Sequence, residues 1–218
     1  MRRKTVLMGK DNEVIPILLD IHCNVINPKI LDCTYNTGKM WKGLNLNPFR
    51  MDINPQLELD IIGDFTRMPF RDKTFDVLVF DPPHLPTHAA SSNSSKMWES
   101  SYGITSTGLG REGDNVTGMF EPFLLEAGRV LKENGIVLAK IADLIHNHRY
   151  QWQQVEFINT VKKLKMTACD MMIKCDPSAG NLKSSKWKNI KHLRKAHCYW
   201  IVARNSTRCE CKKSQENF

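Results

Sequence analysis

The sequence has no long apolar run. Nowhere in its 218 residues is there a stretch approaching the roughly 18 apolar residues that a membrane-spanning helix needs. The basic start at residues 1–4 is followed by a short apolar run at residues 5–8, which is too brief for a secretory signal. Internal repeats are also missing. These absences predict a cytoplasmic protein that does not associate with membranes.

Cysteine pairs with the spacing of metal ligands are absent as well. The chain has seven cysteines, an odd number at irregular spacing, and it has no Cys-x-x-Cys pair. This pattern indicates a reducing compartment and not a disulfide framework. Cys209 and Cys211 come nearest to a ligand pair, and we expect no metal site. The cysteines are Cys23, Cys33, Cys169, Cys175, Cys198, Cys209 and Cys211.

The chain does have an excess of positive charge. It contains 31 Lys and Arg against 23 Asp and Glu, a formal net charge of +8, and its pI is about 9.1. Its 41% hydrophobic and 25% charged residues are typical of a globular protein, so we predict a single domain over residues 1–218. The net charge favours a polyanionic partner, because basic side chains that contact phosphates release counterions.

Seven short apolar runs have the length and composition of strands. Residues 76–81 are the clearest, since an apolar, β-branched run suits a strand covered on both faces. Strands that alternate with helical segments predict an α/β fold, with a Rossmann-like, mostly parallel sheet and helices on both faces. The predicted strands are residues 29–33, 49–52, 59–64, 76–81, 136–141, 169–174 and 197–203.

Two segments between these strands have the spacing of amphipathic helices. Apolar residues from 120 to 131 form one stripe, and we expect Asn134-Gly135 to end that helix. A second stripe has basic residues beside it. It consists of Val155, Ile158, Val161 and Leu164.

Two further segments lie outside the strand and helix pattern. Residues 84–118 show little apolar periodicity, and a loop of this length in a compact domain is usually functional. Residues 176–195 collect basic side chains around a tryptophan. Because aromatic rings stack on bases while cations meet phosphates, this segment predicts a nucleic-acid contact, with a solvated loop as the alternative. The residues concerned are Lys183, Lys186, Trp187, Lys188, Lys191, Arg194 and Lys195.

Acidic residues stand at the ends of the first four predicted strands, where open α/β sheets bind ligands. Asp32 opens a turn through Gly38 in which backbone amides can approach a ligand closely. Asp52 suits the two hydroxyls of a ribose. Asp64-Phe65 sets a carboxylate beside an aromatic face, which suits an adenine. The fourth strand leads into Asp81-Pro82-Pro83-His84.

This tetrapeptide follows three predicted strands that end in acidic residues. In this arrangement the chain resembles the class I S-adenosylmethionine-dependent methyltransferases that methylate amino groups. That group includes DNA adenine and cytosine-amino methylases, several RNA methylases and some protein-glutamine methylases. Its hallmark is Asp, Asn or Ser, then Pro-Pro and an aromatic residue, at the end of the fourth strand. The resemblance covers roughly residues 30–203 and implies seven strands, the last of them antiparallel.

The resemblance implies S-adenosylmethionine as cofactor and a role for each residue of the tetrapeptide. Asp81 and the Pro82 carbonyl would accept the two hydrogens of a base amino group, and Pro83 restricts the backbone. His84 would stack on the flipped-out base. The implied cofactor-binding residues are Asp32, Cys33, Thr34, Tyr35, Asn36, Gly38, Asp52, Ile53, Asp64, Phe65 and Asp81.

Two positions depart from the family pattern. His84 stands where Tyr, Phe or Trp is usual, which leaves the target base less defined. Asn36 stands where glycine is usual, and asparagine tolerates a positive φ better than most residues. Lys140 and Asp143 end the fifth predicted strand, either to help position the target or as solvated side chains.

The leading hypothesis is a DNA methyltransferase that acts on adenine N6. No large target-recognition domain fits the sequence, so readout would come from residues 84–118 and 176–195. An RNA amino-methyltransferase acting on adenine or guanine is the main alternative, whereas a protein-glutamine methylase fits the basic chain less well. A third alternative is a non-catalytic nucleic-acid-binding subunit of a methyltransferase pair, which would bind no cofactor. A protein partner or a homodimer stays open.

Overall fold

A computed structural model describes residues 4–83, 116–146, 149–175, 193 and 195–206. His84, most of the long loop and most of the basic segment lie outside these residues, including Lys183, Lys186, Trp187, Lys188, Lys191 and Arg194. The helices are α1 (Asp11–His22), α2 (Phe120–Val130) and α3 (Gln153–Lys163), with short 3-10 turns at Lys39–Trp41 and Val116–Met119. The strands are β1 (Val6–Met8), β2 (Ile30–Asp32), β3 (Phe49–Asp52), β4 (Ile61–Ile62), β5 (Phe75–Phe80), β6 (Leu131–Ile141), β7 (Leu144–His146), β8 (Arg149–Gln151), β9 (Thr167–Cys175) and β10 (His197–Arg204).

Within the described ranges, eight strands form one sheet in the order β1-β9-β10-β6-β5-β2-β3-β4. Strands β6, β5, β2, β3 and β4 run parallel to one another. Strand β10 is antiparallel to both β6 and β9. The Rossmann-like, mostly parallel sheet and its antiparallel last strand are therefore confirmed. Strands β7 and β8 form a separate two-stranded hairpin.

The predicted number of seven strands is wrong by one. All seven predicted strands are present, and β1 adds an eighth at the edge of the sheet. It pairs in parallel with β9, from Val6 opposite Ile173 to Met8 opposite Cys175. A run this short carries no strand signal of its own, because only its long-range partner makes it a strand.

Helix α1 also has no counterpart among the predicted elements. Pro16 lies inside it and obscures the helical pattern, since proline lacks the amide that an interior helical position donates. The buried side chains nevertheless have the spacing of one amphipathic face. They are Val14, Ile15, Leu18, Leu19 and His22.

Helices cover both faces of the sheet. Helices α2 and α3 share one face, where the rings of Phe120 and Phe157 meet edge to face at 5.2 Å. Helix α1 and the turn that carries Met40 and Trp41 cover the other face. No helix in the described part of the chain is long and apolar enough to cross a membrane. The stripe predicted for α2 is confirmed by its buried residues, Phe120, Phe123, Leu124, Ala127 and Val130.

Two local predictions about the helices need correction. Asn134-Gly135 does not end α2, because the helix stops at Val130 and Leu131 already has an extended backbone. Asn134, with φ 61°, instead lies inside β6. The stripe predicted for α3 is confirmed for Val161, which is buried, and for Ile158 and Leu164, which pack against the core. It is wrong for Val155, which is 40% exposed, and Phe157 is buried instead.

The strand directions bring distant residues to one edge of the sheet. Asp32 and Asp52 are the last residues of β2 and β3, and Asp81 follows β5. Because β10 is antiparallel to β6 and β9, those two strands point the same way and also end at this edge. Strand β1 is parallel to β9, so it delivers Asp11, the first residue of α1, to the same place.

Candidate active site

The turn after β2 is fixed against the ends of β3 and β5. The Asn36 amide donates a hydrogen bond to Oδ2 of Asp52 at 2.8 Å. The Asp81 amide donates to Oγ1 of Thr34 at 2.7 Å. The turn therefore cannot move independently of the two neighbouring strand ends.

Two residues of this turn have left-handed backbone angles. Asn36 has φ 49° and Gly38 has φ 65°, so Asn36 adopts the positive φ that asparagine tolerates better than most residues. A Cβ at Gly38 would collide with the phenol ring of Tyr35. Position 38 therefore requires glycine for both its backbone angle and its space.

Asp32 and Cys33 both face the interior. The Asp32 carboxylate accepts hydrogen bonds from the Trp41 indole at 2.6 Å and from the Thr34 amide at 3.1 Å. The Cys33 thiol donates to the Val79 carbonyl at 3.1 Å. Neither side chain is exposed to solvent by more than about 1%, so this part of the turn offers a ligand its backbone.

Burial raises the pKa of Asp32 to about 7. The hydrogen bonds from Trp41 and Thr34 act in the opposite direction, and the nearby carboxylates of Asp81 and Asp52 raise the pKa further. Burial also raises the pKa of Asp52, against hydrogen bonds from the amides of Asn54 and Asn36. Asp32 thus has two further carboxylates close to it at this edge, an arrangement that a cationic ligand would relieve.

Asp64 and Phe65 lie farther out, after β4. Asp64 is exposed, and its Oδ1 accepts hydrogen bonds from the Thr66 amide at 2.7 Å and hydroxyl at 2.8 Å. Phe65 packs edge to face on Phe80 with ring centroids 5.2 Å apart. Ile53, next to Asp52, is 42% exposed. The exposed Ile53 and the half-buried Phe65 offer apolar surface to a flat ring.

Asp81 follows β5 directly and is held from two sides. Its amide is bonded to Thr34, as described above, and its Oδ2 accepts a hydrogen bond from Nζ of Lys140 at 2.9 Å. Pro82 and Pro83 are buried, which fixes the backbone beyond it. The structure therefore places three of the four tetrapeptide residues, while His84 lies outside the described residues.

Lys140 belongs to a chain of alternating charges that the sequence does not reveal. Its Nζ also lies 3.1 Å from Oδ2 of Asp11, and Oδ1 of Asp11 lies 3.1 Å from Nζ of Lys174. The Trp200 indole donates to the same Asp11 oxygen at 3.1 Å. Lys140 is only 16% exposed, so the alternative of a solvated strand end is wrong.

The protonation of Lys140 follows from these partners. Burial alone would lower the pKa of Lys140, but the carboxylates of Asp81 and Asp11 outweigh burial and raise it above its ordinary value. Lys140 therefore stays cationic at neutral pH and cannot serve as a proton acceptor. Its role toward Asp81 is electrostatic.

A cavity of about 570 Å³ borders the charge network on the side of α1. Its lysines come from three separate parts of the chain, and Asp11 is its acidic residue. This side of the edge is therefore electropositive and suits an anion. The lysines are Lys10, Lys39, Lys42 and Lys174.

A metal ion is a further candidate ligand. In the described ranges, no group of three or more His, Cys, Asp or Glu is placed to hold a metal ion.

The carboxylate of Asp143 lies in the interior. Asp143 is 3% exposed, and its Oδ1 accepts a hydrogen bond from the Gln154 amide at 3.1 Å. It is therefore a buried anchor for the start of α3 and not a solvated side chain.

One member of the predicted nucleic-acid segment can be placed. Nζ of Lys195 lies 3.5 Å from the centre of the Tyr150 ring, a cation–π contact. The hairpin that carries Tyr150 was not among the predicted functional elements, because its two strands are only three residues each. The alternation of aromatic residues at 150 and 152 beside an arginine is the one local signal for it.

Asp32→Asn tests the buried carboxylate through protein stability. Because folding raises the pKa of Asp32 to about 7, its contribution is most favourable below about pH 4 and is lost as the pH rises towards 7. The loss approaches about 1.4 kcal/mol per pH unit within that window. We expect the free energy of unfolding of Asp32→Asn, measured with denaturant, to rise relative to that of the parent protein between about pH 4 and 7 and to level off above that range.

The exposed Asp72→Asn, close before β5, is the matched control. A constant difference in stability between Asp32→Asn and the parent protein over this range would contradict the assignment. It would mean that Asp32 stays ionised throughout.

Comparison with known proteins gives similarity at the level of the fold. No protein-family model and no curated protein matches the chain. An S-adenosylmethionine-dependent methyltransferase from Methanosarcina mazei is 12% identical, over 88% of this chain and 98% of that chain, with a TM-score of 0.52. A Bacillus halodurans protein with a provisional methyltransferase assignment is 14% identical, over 89% of this chain and 100% of that chain, with a TM-score of 0.53.

A Thermus thermophilus protein with a provisional assignment as a DNA modification methylase is also similar. It is 13% identical over 77% of this chain with a TM-score of 0.44, and the match covers 57% of that protein. The matches to the Methanosarcina mazei and Bacillus halodurans proteins extend over nearly the whole of each chain and agree on the architecture. The chain has the fold of the class I S-adenosylmethionine-dependent methyltransferases.

Proposed function

We propose that this protein is an S-adenosylmethionine-dependent methyltransferase that modifies an exocyclic amino group of a base in DNA, with adenine N6 as the target. The observation that carries the proposal is the placement of Asp81. It follows the central strand β5, is fixed by Thr34 and Lys140, and precedes two buried prolines. A carboxylate held in this way can accept a hydrogen bond from a substrate in addition to its contacts within the fold.

The carboxylates at the strand ends fit S-adenosylmethionine. Its sulfonium and ammonium groups are cations, which the carboxylates of Asp32 and Asp52 would favour. Asp52 is the candidate for the ribose hydroxyls, with Asp64 and Phe65 for the adenine. When bound, the cofactor supplies a methyl group on an already electrophilic sulfur. The backbone of Cys33 through Gly38, with Ile53 beside it, would complete the pocket.

The chemistry assigned to Asp81 is that of a hydrogen-bond acceptor. The lone pair of a base amino nitrogen is delocalised into the ring, so the nitrogen is a weak nucleophile. Asp81 and the Pro82 carbonyl would accept its two hydrogens, which favours a tetrahedral nitrogen as the methyl arrives. The nitrogen that gains the methyl group would carry one proton in excess, which the Asp81 carboxylate would accept. His84 would stack on the base.

Lys140 would act as a positioning residue through Asp81. Its ammonium holds one carboxylate oxygen at 2.9 Å, which restricts the rotation of the carboxylate. Asp11, at 3.1 Å, offsets part of the positive charge that Lys140 would otherwise present to a methylated nitrogen. The pair thereby orients the acceptor without cancelling its charge.

The net charge of +8 and the lysine-lined cavity support a nucleic-acid substrate. Lysine side chains at the catalytic edge would meet the phosphates of a strand whose base enters the site. An RNA amino-methyltransferase remains the second candidate, because the same chemistry serves adenine in either polymer. The basic segment around Trp187 would add to this footprint.

Asp81→Ala tests the proposed chemistry directly. Purified protein, labelled S-adenosylmethionine and separate DNA and RNA pools should give a methylated nucleoside in the DNA pool, identified by mass spectrometry. We expect Asp81→Ala to lower the rate constant by about a hundredfold or more, on the scale seen when an electrostatic stabiliser is removed. Cofactor affinity should change little, because its main contacts lie on other strands.

Asp72→Ala, an exposed carboxylate at the opposite end of β5, should retain full activity. Methylation confined to RNA would replace the proposed substrate by the second candidate. Incorporation into neither pool would refute the proposed function.

Asp52→Ala should weaken cofactor binding. Loss of charged hydrogen bonds to a ribose costs about 1–3 kcal/mol, a decrease in affinity that calorimetry resolves. Because Asp52 also accepts the amides of Asn36 and Asn54, the melting temperature should be measured on the same samples. Asp52→Asn, which keeps the shape, separates the two effects. Unchanged affinity in both variants would remove Asp52 from the cofactor site.

Lys140→Met should lower kcat while leaving the cofactor Kd close to that of the parent protein. Without the ammonium, the Asp81 carboxylate loses the contact that restricts its rotation, so kcat should fall more than cofactor affinity. Lys140→Arg, which keeps a cation, should restore part of the rate. A variant that folds and keeps the parental kcat would contradict the positioning role of Lys140.

A further inference from the structure

The hairpin of β7 and β8 carries an aromatic pair that the core does not require. Tyr150 pairs with Ile145 across the hairpin. Trp152 is the residue that follows the end of β8. Their ring centroids are 4.0 Å apart, with planes inclined by 30°. Trp152 is 55% exposed, so much of a large apolar ring faces solvent. An exposed tryptophan stacked on a second ring is typical of a binding surface.

The backbone under this aromatic pair is well anchored. The carbonyl of Trp152 accepts hydrogen bonds from the amides of Val155 and Glu156, each at 3.1 Å, at the start of α3. Asp143, just before β7, bonds the Gln154 amide at 3.1 Å. The rings therefore project from a short segment that is fixed at both ends, and a ligand would not have to order it.

Positive charge borders the rings. Nζ of Lys195 lies 3.5 Å from the centre of the Tyr150 ring, and burial lowers the pKa of Lys195 while Asp143 opposes that shift. Arg149, beside Tyr150 in β8, is exposed. Stacked rings flanked by cations match a base and its phosphates, whereas an acidic peptide would use the cations and leave the rings unpaired.

The location connects the rings with the candidate active site. Strand β6 contains Lys140, which is bonded to Asp81, and the chain passes from β6 into the hairpin within a few residues. Lys195 lies two residues before β10, whose first half pairs with the same end of β6. The hairpin is therefore reached from the same edge of the sheet as Asp81.

We propose that Tyr150, Trp152 and Lys195 form a stacking platform for an unpaired nucleotide that flanks the target base. This inference rests on the proposed function and adds a binding site to it. A nucleotide stacked on Trp152 would hold the strand while its neighbour occupies the Asp81 pocket. The platform favours single-stranded or locally opened nucleic acid over an intact duplex.

The experiment measures binding of a short, fluorescently labelled single-stranded DNA of mixed sequence, in the presence of cofactor. We expect Trp152→Ala to raise the Kd by about tenfold or more, on the scale of one lost base stack. Trp152→Phe should bind almost as tightly as the parent protein, because phenylalanine keeps a π face. Leu125→Ala, which removes another exposed apolar side chain, should have no effect.

A second probe isolates stacking from charge. An abasic strand of equal length has the same phosphates and no bases, so the parent protein and Trp152→Ala should bind it equally. Lys195→Met should lower the slope of log affinity against log salt by about one for either strand. The cofactor Kd and melting temperature of each variant should match those of the parent protein.

The outcomes separate the platform from the proposed function. If the protein methylates nucleic acid but Trp152→Ala binds the base-containing strand normally, the platform is refuted and the function stands. Equal losses in Trp152→Ala and Trp152→Phe with a lower melting temperature assign Trp152 to the fold and also refute it. If the parent protein neither binds nor methylates nucleic acid, the proposed function fails and the platform fails with it.

Discussion

The ion pair between Lys140 and Asp81 is the contact on which the arrangement of this site depends. Two buried charges are stable together only if each has an opposite neighbour, since an unpaired buried charge is strongly destabilising. Here the signs alternate through Asp81, Lys140, Asp11 and Lys174. Asp11 thus supplies the second negative charge beside Lys140. The segment of β1 and α1, which is held by the pairing of β1 with β9 and by the buried face of α1, delivers Asp11 to this edge.

The end of β2 carries a buried charge that has no cationic partner among the described residues. Asp32 is a fully buried carboxylate with only an indole and an amide as hydrogen-bond donors in the described residues. Burial of such a group opposes folding near neutral pH, and an apolar residue would pack there more favourably. Asp32 ends β2 at the edge where we propose that the cofactor binds.

The sequence contains local information on strands and helices but none on which distant residues meet. The strand ends at Asp32, Asp52 and Asp81 could be predicted because apolar runs and the residues after them are contiguous. The left-handed angle of Asn36 could be predicted from the chemistry of one residue. Helix α1 could not, because Pro16 interrupts its pattern, and β1 becomes a strand only through β9. The role of Lys140 depends on a partner at position 11, which no periodicity records.

The edge strand β1 has a consequence for how the molecule assembles. Val6 pairs with Ile173, so β1 gains its partner only after most of the other strands of the sheet have been synthesised. Contacts with such a large separation in sequence form late and slowly, because a long loop must close before they contribute. On a ribosome, the carboxylates of the central strands could be in place while Asp11 still lacks its site. Lys140 would then face Asp81 without its second neighbour, and the pocket would reach its final charge balance only when the last strands have joined the sheet.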